Sequence, residues 1–339
     1  KLYYQTSELE NSLHNCNFKN FNINFSEVYK KVGILIIFIL AVIISACINP
    51  IFPTANNMLN ILRQAVITLI LACGMQTILL CGMIDLSCGS ILAFSGAITA
   101  SMIVNGWNLV AALVVGLLAG AVCGFANGII VVTFRIPTFI MTLATQSIIR
   151  GVVLLYMHNI PISNLGNEFA FIGQGNIGGV FPFSVVILAV VVGITAVLVN
   201  KKRFGRNLYA IGGNEQAARA AGVNVKKVKV LVFTYAGLLA GLAGIVLAAR
   251  SNSAQPTAGE GYEFDAITAA VVGGTSLSGG VGKVSGMIFG GLLVVVLKNI
   301  MTLTAIDSNV QKIVQGAIIL IAVIADIALQ KGDKNASVK

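Results

Sequence analysis

The chain of 339 residues is 57% hydrophobic and 10% charged, with a mean hydropathy of +0.90. Such a composition excludes a water-soluble globular domain and points to an all-α polytopic membrane protein. A formal charge of +10 would suggest a nucleic-acid partner in a soluble protein, but 15 of the 22 basic residues lie in three segments: four in 1–32, eight in 200–229 and three in 330–339. That distribution is the positive-inside pattern, with the lipid bilayer as partner and no nucleic acid.

Residues 1–32 are polar and Asn-rich and end in Lys30-Lys31, which predicts a cytosolic tail. The first apolar run follows this polar start and is long enough for an anchor, not a cleavable signal. Spanning helices need about twenty mostly apolar residues. Such stretches fall at 33–51, 61–82, 88–104, 108–133, 137–157, 180–199, 228–249, 264–275, 284–303 and 310–329, ten in all. The eighth is too short for a simple span and predicts a broken or re-entrant element. A cytosolic start, six crossings to the basic loop and four more to the basic end put all three positive segments on one face. The expected organisation is a tail over 1–32, a membrane domain over 33–330 with a cytosolic loop at 200–229, and a tail over 331–339. The same parity sends 157–180 and 250–263 to the other face. These stretches are rich in Gly, Asn, Ser and Pro and carry Glu168, Glu260 and Glu263. They are either plain connectors or a landing area for another protein.

The longest polar interruption is GRNLYAIGGNEQAARAAGVNVKKVKV, from Gly205 to Val230. Within it Asn214 can cap a helix and Glu215 falls in the first turn, where a negative charge suits the dipole. Ala217, Ala218, Ala220 and Ala221 propagate the helix and Gly222 ends it. About two turns is too short to be stable alone, so packing must hold it, either on its own protein or on a partner.

Glycines mark the apolar segments. Gly116, Gly120, Gly124 and Gly128 recur every four residues, and Gly237, Gly241 and Gly244 form a second strip; both suit close helix packing. Two short stretches, GMIDLSCG at 82–89 and GGTSLSGG at 273–280, resemble each other and are hinge candidates. Between the first and the next helix lies Asp85, a costly acid that must be paired, hydrated or at a helix end; capping the third helix is the economical role, contact with substrate the alternative. Arg135, Arg150, Arg250, Asp265, Lys283 and Lys298 sit near predicted helix ends, where long side chains can reach water. No row of buried acids suggests an ion-driven carrier. The six cysteines include no CxxC pair and the two histidines lie far apart, so neither a disulfide framework nor a metal site is indicated. GGVGKVS at 279–285 approaches a nucleotide loop, but Leu277 replaces the first glycine and Val284 the hydroxyl.

NILRQAVITLILACGMQTILLCGMIDLSCGSILAFSG (60–96), GRNLYAIGGNEQAARAAGVNVKKVK (205–229) and SAQPTAGEGYEFDAITAAVVGGTSLSGGVGK (253–283) closely resemble the permease subunit of bacterial ABC importers for monosaccharides, most of all the ribose type. The likeness runs from about residue 33 to 330. It implies a type II importer fold, a second copy of the permease, two cytosolic ATPase subunits that hold ATP and Mg, and an extracytoplasmic sugar-binding protein. This chain would bind no cofactor and would lie in the cytoplasmic membrane. Asn214, Glu215, Gln216, Ala217, Ala218, Arg219, Ala220, Ala221 and Gly222 would form the helix that couples to the ATPase. Asp85, Ser87, Ser90, Thr142, Thr145 and Gln146 are candidates to line a sugar pathway; at helical spacing such residues also join helices.

Three functional classes follow. A sugar-importer permease depends on a separate ATPase, an ion-coupled carrier would act alone on a gradient, and a membrane-embedded enzyme would need a catalytic cluster that the sequence does not present.

Overall fold

The computed structural model describes residues 25–336, so His14, Cys16 and most of the stretch expected to be an N-terminal tail lie outside it. Thirteen helices run through the described residues: α1 (Phe25–Ile48), α2 (Ala55–Leu80), α3 (Cys88–Val104), α4 (Leu109–Phe134), α5 (Thr138–Tyr156), α6 (Asn167–Gln174), α7 (Phe183–Asn200), α8 (Arg203–Gly213), α9 (Glu215–Ala220), α10 (Val225–Ser251), α11 (Tyr262–Val272), α12 (Val284–Leu303) and α13 (Ser308–Ala336). Six of them (α2, α4, α5, α7, α10 and α12) are long and apolar enough to cross a membrane. Shorter apolar stretches lie in α1, α3 and α13. The eighth expected span is α11, eleven residues long, too short to cross as a helix by itself and continued by the non-helical stretch over 273–283. Helix α1 begins at Phe25, eight residues before the predicted boundary.

Local chemistry sets the helix ends. Thr54 accepts the Asn57 N–H at the start of α2, Asn108 the Val110 N–H at the start of α4, and Asn224 the Lys227 N–H at the start of α10. Helix α4 stops at Arg135 (φ 55°), two residues before Pro137, and α10 stops at Asn252 (φ 48°). At 27 residues, α10 is roughly 40 Å long, enough to run from one membrane face to the other.

The two glycine strips face each other. A methyl group on Gly124 would fall 3.0 Å from the Gly237 Cα, one on Gly120 2.9 Å from the Gly241 Cα, and one on Gly128 2.8 Å from the Val230 Cα. On another side of α10, Gly244 meets Leu92 and Gly96 of α3. Missing side chains therefore let α4 and α3 press their backbones onto α10, where dispersion replaces the hydrophobic driving force that lipid does not provide. Helices α2 and α10 form the buried centre. Helices α4, α5 and α7 turn large apolar side chains outward, among them Val122, Phe125, Leu155 and Val190. Such a surface suits lipid or another apolar membrane helix.

Two breaks interrupt the helices. Helix α2 ends in a turn with Gly82 at φ 68° and the chain runs without helix to Ser87; α11 ends in a turn over 273–283 in which Gly274, Gly279 and Gly280 have positive φ. These are the two stretches of similar sequence, and they meet: the Gly280 N–H donates to the Leu80 carbonyl at 3.0 Å, and Gly82 faces the Ser278 carbonyl. The glycines of the near-match to a nucleotide loop are thus used in packing.

Three acids are buried rather than placed at water-facing ends. Asp85 is 1% exposed, Glu263 3% and Asp265 0%. Lys298 of α12 pairs with Asp265 Oδ2, and Gln315 of α13 donates to Asp265 Oδ1 at 2.6 Å and to the Gly261 carbonyl at 3.2 Å. Helix α11 is short, so its first turn lies inside the protein and its acids cannot reach water as a full-length span would allow. Near the other end of α11, Asp326 of α13 accepts the Leu277 N–H.

Candidate functional site

The polar segment folds into two helices. In α8, Phe204, Leu208 and Ile211 lie on one face; Leu208 and Ile211 are buried, while Arg203 and Arg206 remain exposed. That spacing of four and three residues is an amphipathic helix lying on the body. Sequence reading did not separate it from the loop, although this periodicity was its signal. Helix α9 follows after Asn214, whose Oδ1 accepts the Ala217 N–H at 2.9 Å. Glu215 accepts from Arg219 at 3.0 Å and from Lys229 of α10 at 2.8 Å. Of the nine predicted residues Ala218 is buried and Glu215 is half-buried, while Asn214, Gln216, Ala217, Arg219, Ala220, Ala221 and Gly222 are exposed. Gly222 ends the helix at φ 84°.

The hydrogen bond from Lys229 holds the Glu215 carboxyl below its ordinary value of 4.5, with Arg219 contributing and burial opposing. A depressed carboxylate stabilises above the unfolded value and loses that contribution as pH falls through the lower folded one. Hydrogen exchange of the 215–220 amides is therefore expected to keep its protection at pH 4.5 and lose it only in more acid solution. In Glu215→Gln the protection should be reduced at neutral pH and should no longer fall on acidification.

The end of α8 rests on both breaks at once. A methyl group on Gly212 would strike the Leu80 carbonyl and the Gly280 N–H group, the two partners of the bond that joins the breaks. Gly280 in turn approaches the Gly213 backbone, and the Tyr209 hydroxyl donates to the Gly282 carbonyl at 2.8 Å. Burial raises the Tyr209 phenol above its ordinary value, so it stays a donor at neutral pH. The end of α8 thus contacts the end of α2 and the turn after α11 through backbone atoms.

Most of the candidate pathway residues lie in one ladder along α5. Thr138 accepts the Ile84 N–H at 3.4 Å and Thr142 the Leu86 N–H at 3.1 Å. Thr145 donates to Asn127 Oδ1 at 2.7 Å, Asn127 to Ser87 Oγ at 2.9 Å, and Ser87 to Asp85 Oδ1 at 2.6 Å. Gln146 donates to Glu263 at 2.9 Å, and Arg150 to the Pro256 and Ala258 carbonyls. Asp85 also accepts the Ser87 N–H at 2.8 Å, so it closes the turn before α3 instead of capping the helix from its N-cap position. Ser90 is buried apart from this network, and its hydroxyl bonds none of the described residues. Non-helical backbone at membrane depth needs partners within the protein. The polar stripe of α5 supplies them to residues 84–86 and 256–258. Asn127 was missed in the sequence, and its signal was an amide inside a strip of glycines. Among the described residues no group of His, Cys, Asp and Glu could hold a metal.

Apolar helices of spanning length with broken elements, joined at one end to an exposed polar helix pair, make a multi-pass membrane protein. The chain belongs to the family described as branched-chain amino acid transport system / permease component, whose model matches residues 57–323. It is 44% identical over 307 residues to the ribose import permease protein of Bacillus subtilis, covering 90% of this chain and 95% of that one. It is 42% identical over 296 residues to the ribose import permease protein of Escherichia coli (86% and 92%). Identity to the L-arabinose transport system permease protein of Escherichia coli is 37% over 317 residues (92% and 95%). No solved structure matches the chain.

Proposed function

We propose that this chain is the membrane-spanning subunit of an ATP-driven importer of ribose or a closely related monosaccharide, working as a pair of permeases in the cytoplasmic membrane. The basic segment and both termini face the cytosol. ATP and Mg are held by separate ATPase subunits, and an extracytoplasmic binding protein delivers the sugar to the opposite face. The observation that carries this reading is α9: a six-residue helix with an exposed alanine face, seated next to α8, which touches both helix breaks. Closure of the ATPase dimer would move α9, and α8 would pass the displacement through Gly212 to Leu80 and Gly280. The break before α3 and the turn after α11 would then shift together. The relatives named for ribose import and L-arabinose transport support the substrate class.

Reconstitution with ATPase and binding protein, followed by uptake of labelled ribose, arabinose and allose, tests the proposal. Uptake is expected to require ATP and to vanish when 214–222 is replaced by a Gly-Ser linker of equal length. The buried acids Asp85, Glu263 and Asp265 favour the alternative of an ion-coupled carrier. That reading requires uptake by this chain alone on an ion gradient.

A further inference from the structure

At the end of α10 remote from the basic segment a cup of about 320 Å3 opens between α3, the last turns of α10 and the loop that follows. Its volume falls at the lower limit of small-molecule sites, roughly 300–1,000 Å3, which suits a small solute and excludes a bulky one.

The loop that forms its outer wall is fixed from three sides. Ser253 and Ala254 pair with Ser163 and Ile162 in a two-residue antiparallel ladder, and Asn252 accepts the Leu165 N–H at 3.1 Å. Arg150 holds the Pro256 and Ala258 carbonyls from behind, at 2.9 and 2.8 Å. Gly259, at φ 76°, presses its backbone against Gly89 of α3. A wall tied in this way is preorganised, so a ligand need not order it.

The lining has two kinds of surface. Gly96 and Ala248 give a flat apolar floor from α3 and α10. Ser251 at the end of α10 and Gln255, Thr257 and Glu260 of the loop are exposed and line it as well. The Gln255 amide donates one bond to Ser253 Oγ at 3.1 Å, which leaves its carbonyl oxygen and second N–H available. The side chains of Ser251, Thr257 and Glu260 make no hydrogen bond to other described residues. The cup therefore offers hydroxyls, an amide and a carboxylate to one edge of a ligand and an apolar floor to its face. No Lys or Arg lines it, so it does not suit an anion.

We propose that this cup is a receiving subsite for a neutral monosaccharide, in which the rim binds ring hydroxyls and the floor takes a C–H face. The inference rests on the sugar-importer reading and adds a station to it. A transit site must admit its solute without trapping it, and a half-open cup with solvated partners meets that demand.

The test uses the full complex in lipid nanodiscs without binding protein, with ribose, arabinose and allose as probes. Thr257→Cys, and separately Ser251→Cys, are labelled with a membrane-impermeant maleimide. Labelling is followed peptide by peptide, so native cysteines do not interfere. For millimolar binding, about 10 mM sugar should slow labelling at both positions severalfold. Equimolar glycine betaine should not, and Gln255→Leu should abolish the protection. The proposal is overturned if all three sugars leave both rates unchanged, if betaine slows them equally, or if Gln255→Leu keeps full protection. The same preparation with binding protein and ATP separates the two levels. Uptake without protection refutes the cup alone, whereas loss of all uptake in the unmodified complex refutes the importer reading.

Discussion

Gly212→Ala is expected to lower ATP-driven uptake about tenfold, while Gly213→Ala stays near the unmodified rate. The two glycines are neighbours at the end of α8, yet their surroundings differ. A methyl group at 213 meets no heavy atom within 4 Å, whereas one at 212 meets the Leu80 carbonyl and the Gly280 nitrogen. Those atoms are backbone and already bonded to each other at 3.0 Å, so they cannot turn aside as a side chain could. Overpacking of this kind costs about 1–3 kcal/mol, and about 1.4 kcal/mol corresponds to tenfold. The protein can relieve it by lifting α8 from the breaks. The ATPase would then continue to turn over, so the sugar carried per ATP hydrolysed should fall more than hydrolysis itself. Equal losses of both activities would mean that Gly212 matters only for folding, and indistinguishable behaviour of the two variants would refute the junction.

Lys298→Met is expected to be among the most destabilising single substitutions in the membrane body. Among the described residues it leaves Asp265, a fully buried carboxylate, with only the Gln315 amide as its side-chain partner. Removing one member of a buried pair typically costs about 3–5 kcal/mol; because the Lys298 side chain is 34% exposed, the lower end applies. Combining it with Asp265→Asn removes the stranded charge while an amide oxygen can still accept from Gln315. The double variant should therefore unfold between the single variant and the unmodified protein in detergent. If single and double variants lose equal stability, the cost lies in Lys298 packing over Tyr262 and not in the charge.

Elements governed by local chemistry were legible in the sequence. Asn214 and Gly222 announce a capped two-turn helix because each acts within four residues of its own position, whereas the bond from Lys229 to Glu215 does not. The glycine strips announce close packing for a similar reason: their spacing is a helix period. Partner choice was not legible, because it is set by helices far apart in the chain. That Gly124 faces Gly237, that Asp265 meets Lys298, and that the similar stretches at 82–89 and 273–280 touch are facts of tertiary packing. Lys298 reads as a helix-end lysine until the short α11 places an acid beside it. Thr142 and Thr145 read more readily as helix joints than as pathway lining. Only the folded chain brings the non-helical backbone at Leu86 to Thr142 and the Asn127 amide to Thr145.

The central claim is that the helix over 215–220 receives work from a separate ATPase at the cytosolic face. It is tested most directly by placing a photo-crosslinking amino acid at the exposed Gln216 in the complete transporter in native membranes. The expected result is a crosslink to the ATPase subunit in sealed right-side-out vesicles, with a yield that differs between vesicles loaded with ATP and vesicles without it. Position 216 should resist an impermeant reagent applied from outside. Labelling from the outside, or a crosslink confined to lipid or to this chain, would contradict the account.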